Sequence, residues 1–170
     1  DDDADDDRDD TDDDSSGSGS GGSSGSGSSG SAAAPEADAD AFPVTIEHAF
    51  GETTIEEAPE RVATVSWGNH EVPLALGVVP VGMSEATWGD DDGDGVLPWV
   101  EEKLTELGAE TPVLFDETEG LDFEGVADTA PDVILASYSG MTQEDYDTLS
   151  QIAPVVAYPD VAWSTSVDEM

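Results

Sequence analysis

The chain has 170 residues, 42 of them acidic against three basic, and a net charge of −39. That balance opposes nucleic acid and anionic membrane surfaces as partners and favours cations or cationic ones. There is no cysteine, which excludes disulfides and thiol chemistry without deciding the compartment. No apolar run approaches the length of a membrane span, and no signal-peptide pattern is present, so export would imply a processed chain.

Residues 1–14 are nearly all Asp, and residues 15–31 are only Ser and Gly. Neither segment can offset its ordering entropy by burial, so residues 1–40 are expected to be a disordered tail. Its functional reading is a tether that holds a folded domain, residues 41–170, away from a membrane or wall. Residues 41–55 read as a hairpin: Val44 to His48 alternates, Gly51 supplies the turn and Thr53 to Ile55 returns. His48 is expected to be an ordinary strand residue, because one other His and no Cys leave little for a transition-metal site.

Residues 61–88 read as strand, helix, strand. A β-branched run over 61–66 lies between Pro59 and Gly68. Asn69 is expected to cap a helix that holds Pro73 in its first turn and stops at Gly77. An apolar run over 78–83 follows. Such a βαβ unit implies a right-handed crossover in a parallel sheet, whose post-strand loops gather on the ligand-binding edge.

The next stretch matches D-x-D-x-D-G-x5-E without a mismatch. Asp90, Asp92 and Asp94 stand at the first carboxylate positions and Glu101 at the last, with Gly95 at the turn and the carbonyl of Val96 as a further ligand. This is the spacing of an EF-hand calcium loop. An exit helix runs from Pro98 to Gly108 with Val100, Leu104 and Leu107 at helical spacing. No entering helix precedes Asp90, Pro98 is unusual at its position, and Asp clusters arise cheaply in so acidic a chain. A single structural Ca²⁺ site and a solvated acidic loop therefore both stand.

Residues 111–115 form a third expected strand. Asp122 caps a helix to residue 130, with Phe123, Val126, Ala127 and Ala130 expected to face inward. The apolar run over 132–136 suits a strand buried on both faces. Ser137, Tyr138, Ser139 and Gly140 follow it. Thr142 and Asp145 form a capping-box pattern at the head of a helix that turns Tyr146 and Leu149 inward. A fifth strand spans 155–158, and residues 165–168 look like another helix start. Trp67, Trp88, Tyr138 and Trp163 each follow a different strand, so four aromatic side chains gather on one edge. With Asn69, His70, Thr87 and Ser139 they make the candidate ligand-binding set, since aromatic faces with polar tips suit a partly wet pocket. Catalysis has little support: there is no nucleophile elbow, no metal-ligand His pair and no phosphate-binding glycine loop.

Several passages also resemble a known family. Pro59, Arg61, Val62, Glu71 and the run Ala75-Leu76-Gly77-Val78-Val79-Pro80-Val81-Gly82 are similar to the first lobe of extracytoplasmic substrate-binding proteins that serve ABC importers of ferric siderophores, haem and cobalamin. The passage around His48-Ala-Phe-Gly-Glu-Thr resembles the segment before that family's first strand. Leu121 to Asp132 is similar to a signature in which a Glu, here Glu124, docks the membrane permease. Gly125 departs from it, standing where a bulky residue is usual. Ile152-Ala153-Pro154 also matches, and Trp67 stands where ferric-hydroxamate binders place a ligand-facing Trp.

The resulting expectation is an α/β fold, a mainly parallel five-stranded sheet with helices on both faces. The resemblance implies one lobe of a bilobal binding protein, with the second lobe absent from this chain. It implies capture of a ferric siderophore as ligand, with no cofactor required, and delivery to an ABC permease. It further implies a monomer outside the cytoplasm, anchored to the cell membrane as a lipoprotein, and no enzymatic activity. The lack of Arg on the aromatic edge favours a neutral or cationic chelate such as a ferric hydroxamate; cobalamin or haem remain alternatives. A reading from a different class is a Ca²⁺-stabilised surface adhesion or adaptor module, favoured by the Asp90 to Glu101 loop and the acidic tail.

Overall fold

A computed structural model of the chain describes residues 38–170, so positions 1–37 of the expected tether lie outside the described residues. The hairpin forms as expected. β1 (Val44–His48) pairs antiparallel with β2 (Gly51–Ile55), from Val44 opposite Ile55 to His48 opposite Gly51. Gly51 adopts φ 131°, a conformation that side-chain-bearing residues rarely reach. His48 is buried on the hairpin. Its Nδ1 accepts the Phe50 N–H at 3.2 Å, so the neutral ring carries its proton on Nε2, which lies 2.9 Å from Thr53 Oγ1. That hydroxyl donates in turn to Val155 O at 2.7 Å, which fastens the hairpin to the main sheet.

The main sheet has five strands: β3 (Val62–Thr64), β4 (Gly82–Ser84), β5 (Val113–Phe115), β6 (Val133–Ala136) and β7 (Val155–Ala157). Their order is β5-β4-β3-β6-β7, and every neighbouring pair is parallel. The strands are shorter than the apolar runs suggest. Over 78–83 the cause is local: Val78 N–H is taken by Pro73 O at 2.8 Å, and Pro80 has no N–H to pair. The chain steps outward from β3 to β4 and β5, then returns to the other side of β3 for β6 and β7. The ends of β3 and β6 are therefore adjacent while their chains depart in opposite directions, the topology that opens a crevice at a sheet edge.

Helices cover both faces, as expected. α1 (Glu71–Ala75) and α2 (Pro98–Leu107) share a core of Leu74, Met83, Val100 and Leu104. α3 (Phe123–Asp128) and α4 (Gln143–Leu149) pack Val126 and Leu149 against Ala63, Phe115, Ile134 and Val155 on the other face. The hairpin extends the first face through Ile55, which meets Val62, Val133 and Val156. Phe115 lies directly over Gly82, where a Cβ would overlap its ring.

The helix ends follow the sequence in part. Pro98 opens α2 and left-handed Gly108, φ 66°, closes it. Asp122 caps α3 by accepting the Gly125 N–H at 2.9 Å. Thr142 and Asp145 form the expected capping box on α4. Three expectations need correction. His70 rather than Asn69 stands at the N-cap of α1, and it makes no side-chain capping bond. Ala127 and Ala130 are exposed, because α3 stops at Asp128 and Ala130 turns away at φ 45°; Thr129 is buried instead. Residues 165–168 start no helix, and only a turn over 167–169 stands there. At the opposite end of the sheet Arg61 donates to Ala130 O and Thr129 O beyond α3, while Asp132 accepts the N–H groups of Glu60 and Arg61.

Candidate ligand-binding site

The crevice between β3 and β6 is organised by Asn69. This side chain is 1% exposed. Its Nδ2 donates to Val65 O at 2.7 Å and to Tyr138 O at 2.8 Å. Its Oδ1 accepts the Tyr138 N–H at 2.9 Å and the Ser137 hydroxyl at 3.2 Å. One amide thus uses both of its ends to join the two loops that diverge at the switch point. The loop after β7 is tied to the same place, with Trp163 N–H donating to Ser139 O at 3.0 Å and the Thr165 hydroxyl to Ser137 O.

A cleft of about 330 Å³ opens beside these loops, lined by Trp67 and Thr87 after β3 and β4, by Glu117 and Leu121 after β5, and by Met141 and Trp163. Trp67 and Trp163 are 39% and 50% exposed, so each offers half of its indole to solvent. Trp163 lies across Gly140, where a Cβ would strike Nε1 of the indole. Tyr138 meets Trp163 edge-on at 5.3 Å and supports it from behind.

Glu117 is the one strongly placed polar group of the cleft. Its carboxylate accepts the Ser66 N–H at 2.9 Å and the Ser84 hydroxyl at 2.9 Å, bridging the ends of β3 and β4. Ser66 itself holds a left-handed φ of 63°, a strained conformation that this bond helps to maintain. Burial pushes the Glu117 carboxyl above its ordinary range, against the lowering effect of the two hydrogen bonds. Glu85 and Asp145 line the same cleft. The two basic side chains of the described residues lie elsewhere. Arg61 is at the opposite end of the sheet, and Lys103 pairs with Glu106 at 2.9 Å on α2.

Of the residues nominated from sequence, Trp67, Thr87 and Trp163 line this cleft together. Asn69 and Ser139 are buried behind it, with their side chains committed to backbone partners. His70 is also buried; its Nδ1 has no hydrogen-bond partner, and burial holds its pKa below the usual value. Trp88 is 76% exposed and does not line the cleft. Glu117, Met141, Leu121 and Ser84 were not anticipated. The signal for Glu117 was its place just after β5, on the same edge as Trp67, but an acid is hard to single out in so acidic a chain.

The Asp90 to Glu101 loop brings three of its carboxylates together, and Glu101 is not one of them. Ligand atoms of Asp90, Asp92 and Asp94 lie within 4.8 Å of one another. Both oxygens of Asp90 accept backbone N–H groups, from Gly93 and Gly95 at 2.8 Å each, and Asp94 accepts the Val96 N–H at 2.9 Å. The negative charge of Asp94 raises the pKa of Asp92 and of Glu101. No helix enters this loop. Glu124 projects from the first turn of α3 and is exposed.

Comparison with known proteins places this geometry. The model of the periplasmic binding protein family matches residues 62–170. YhfQ of Bacillus subtilis, a putative ABC transporter substrate-binding lipoprotein, is 29% identical over 114 residues, which cover 67% of this chain and 32% of that protein. The Fe(3+) dicitrate-binding periplasmic protein FecB of Escherichia coli is 28% identical over 119 residues, 68% of this chain and 35% of its own. The chain therefore spans about a third of the length of the curated relatives it matches. Among solved structures, PiaA from Streptococcus pneumoniae in complex with ferrichrome superposes with a TM-score of 0.69 and 56% identity, over 72% of this chain and 40% of that one. A periplasmic solute binding protein from Mycobacterium smegmatis superposes at 0.63 with 33% identity, over 72% of this chain and 41% of its own. The match takes in the whole parallel sheet and the acidic loop. The chain belongs to the periplasmic binding protein family, whose members bind substrates rather than transform them.

Proposed function

We propose that this chain is the extracytoplasmic solute-binding component of an ABC importer, and that it captures a ferric siderophore of hydroxamate type. The observation that carries this reading is the cleft at the switch point, where two half-exposed indoles, Trp67 and Trp163, face a pocket with no basic lining residue. An indole face suits the apolar, oxygen-wrapped surface of an uncharged iron chelate. The ferrichrome complex of PiaA supports the same ligand class. Residues 41–170 would form one lobe, closing on the ligand from one side, and residues 1–40 would tether it to the cell membrane as a lipoprotein. Delivery would pass through Glu124, whose exposure on α3 leaves it free to meet a basic permease surface.

Titration with ferrichrome, followed by tryptophan fluorescence, tests the reading. Binding should quench Trp67 and Trp163, and Trp67→Ala should weaken it by about tenfold, the order expected when one aromatic stacking contact is lost. Unchanged fluorescence and no heat of binding at millimolar chelate would refute it. Calcium at the Asp90 to Glu101 loop is a separate reading, resting on the motif spacing and the convergence of three carboxylates. Calorimetry with CaCl₂ decides it, since uptake of one ion should disappear in Asp92→Asn.

A further inference from the structure

The cleft has a charge character that a search for aromatic residues does not reveal. Glu85, Glu117 and Asp145 line it, and neither Arg61 nor Lys103 does. Glu117 differs from the other two. It is held in the half-buried lining by Ser66 N–H and Ser84 Oγ, while Asp145 is engaged in the capping box of α4 and Glu85 is exposed. Of its two oxygens, Oε2 carries the two short bonds, and Oε1 has only a longer one of 3.2 Å to the Ser66 N–H. An ionised carboxylate accepts at about four lone-pair sites, so acceptor capacity remains.

From this arrangement we infer that Glu117 selects the ligand by charge: the cleft takes ferric chelates that carry no net negative charge, and prefers one bearing an ammonium group. This rests on the proposed siderophore-binding function and specifies its substrate class. An anionic chelate would bring like charge against a half-buried carboxylate, with no cation among the described lining residues to compensate. A ligand ammonium would meet that carboxylate in a charge-assisted hydrogen bond, stronger than a neutral one. The indoles of Trp67 and Trp163 recognise the body of the chelate, and half-exposed as they are they attract a ligand cation only weakly. Discrimination by charge therefore falls to Glu117, with Glu85 and Asp145 adding a weaker, more screened field.

The test compares two chelates of one shape. Ferrioxamine B carries a free ammonium; its N-acetylated form is neutral and otherwise the same. Both are titrated into the full chain, together with ferric dicitrate as the anionic probe, before and after Glu117→Gln. The wild-type chain should bind ferrioxamine B about tenfold more tightly than the acetylated form, and ferric dicitrate most weakly. In Glu117→Gln the gap between the first two should close, and ferric dicitrate should gain. Raising NaCl from roughly 0.05 to 0.5 M should weaken only the ammonium-bearing ligand, a readout that needs no variant. Equal affinity for the two ferrioxamines, or ferric dicitrate binding as tightly as either, overturns the charge filter and leaves the function intact. Binding of ferrichrome but of neither ferrioxamine overturns the ammonium preference alone. No binding of any chelate, ferrichrome included, overturns the underlying function and the filter with it.

Discussion

Asn69 joins Val65, Ser137 and Tyr138 from a position almost free of solvent. Truncating it leaves buried backbone groups on two loops without partners, and each such group costs about 1–3 kcal/mol. Asn69→Ala should therefore lower stability by roughly 3 kcal/mol in urea denaturation and also blur the cleft, because both loops lose their common anchor. A loss under about 0.5 kcal/mol would show that water replaces the amide easily. His48 gives a pH-dependent counterpart. Burial lowers its folded pKa from the usual 6.5. The unfolded chain then takes up a proton near that pH that the folded chain refuses until lower pH. The stability contribution is complete above 6.5 and is lost as pH falls towards the folded value. The melting temperature of the wild type should fall relative to His48→Asn between roughly pH 7 and 5; parallel curves would contradict this.

Among the elements, α4 has the most explicit sequence signature, and it forms as that signature demands. The Thr142 hydroxyl accepts the Asp145 N–H at 3.2 Å, while the Asp145 carboxylate accepts the Thr142 N–H at 2.8 Å. Thr142→Ala should cost about 1 kcal/mol, measured as a shift in urea midpoint at unchanged slope. The same substitution removes the hydroxyl bond to Asp145, which lines the cleft, and leaves the bond from the backbone N–H of residue 142 in place. α1 is the opposite case. Its five residues are held by Leu74 in the core rather than by a cap, and Asn69, which looked like that cap, serves the loops instead. Short helices of this kind depend on packing more than on propensity. In the sheet, β-branched and apolar runs located every strand, but not its ends. Those depended on which N–H groups the neighbouring strand could accept, as at Val78 and Pro80.

For the whole molecule the dominant quantity is charge. Residues 41–170 carry 28 acids against Arg61 and Lys103, and self-repulsion at that density opposes the compact state. Salt screens it, so the melting temperature should climb by several degrees between roughly 0.05 and 1 M NaCl. A flat response would mean that the acids are spaced widely enough for the dielectric of water alone to weaken their repulsion. The shape of the sheet also matters at this scale. Because the chains leaving β3 and β6 depart in opposite directions, loops after the parallel strands open a cleft at one edge, and residues distant in sequence meet there, such as Trp67, Glu117 and Trp163.

The sequence by itself determined the class of the fold, the parallel sheet with helices on both faces, the hairpin, the α4 cap and the sheet edge at which the cleft opens. Those follow from hydrophobic period, turn residues and local hydrogen bonding, which act over a few positions of chain. Only the tertiary structure decided which of the edge residues face the cleft. Asn69 turned inward because the divergence of two loops leaves buried backbone groups to satisfy, and Glu117 joined the cleft lining because β5 ends beside β4. Both outcomes depend on partners tens of residues away, such as the pairing of Ser66 with Glu117 and of Asn69 with Tyr138, and no local pattern encodes them.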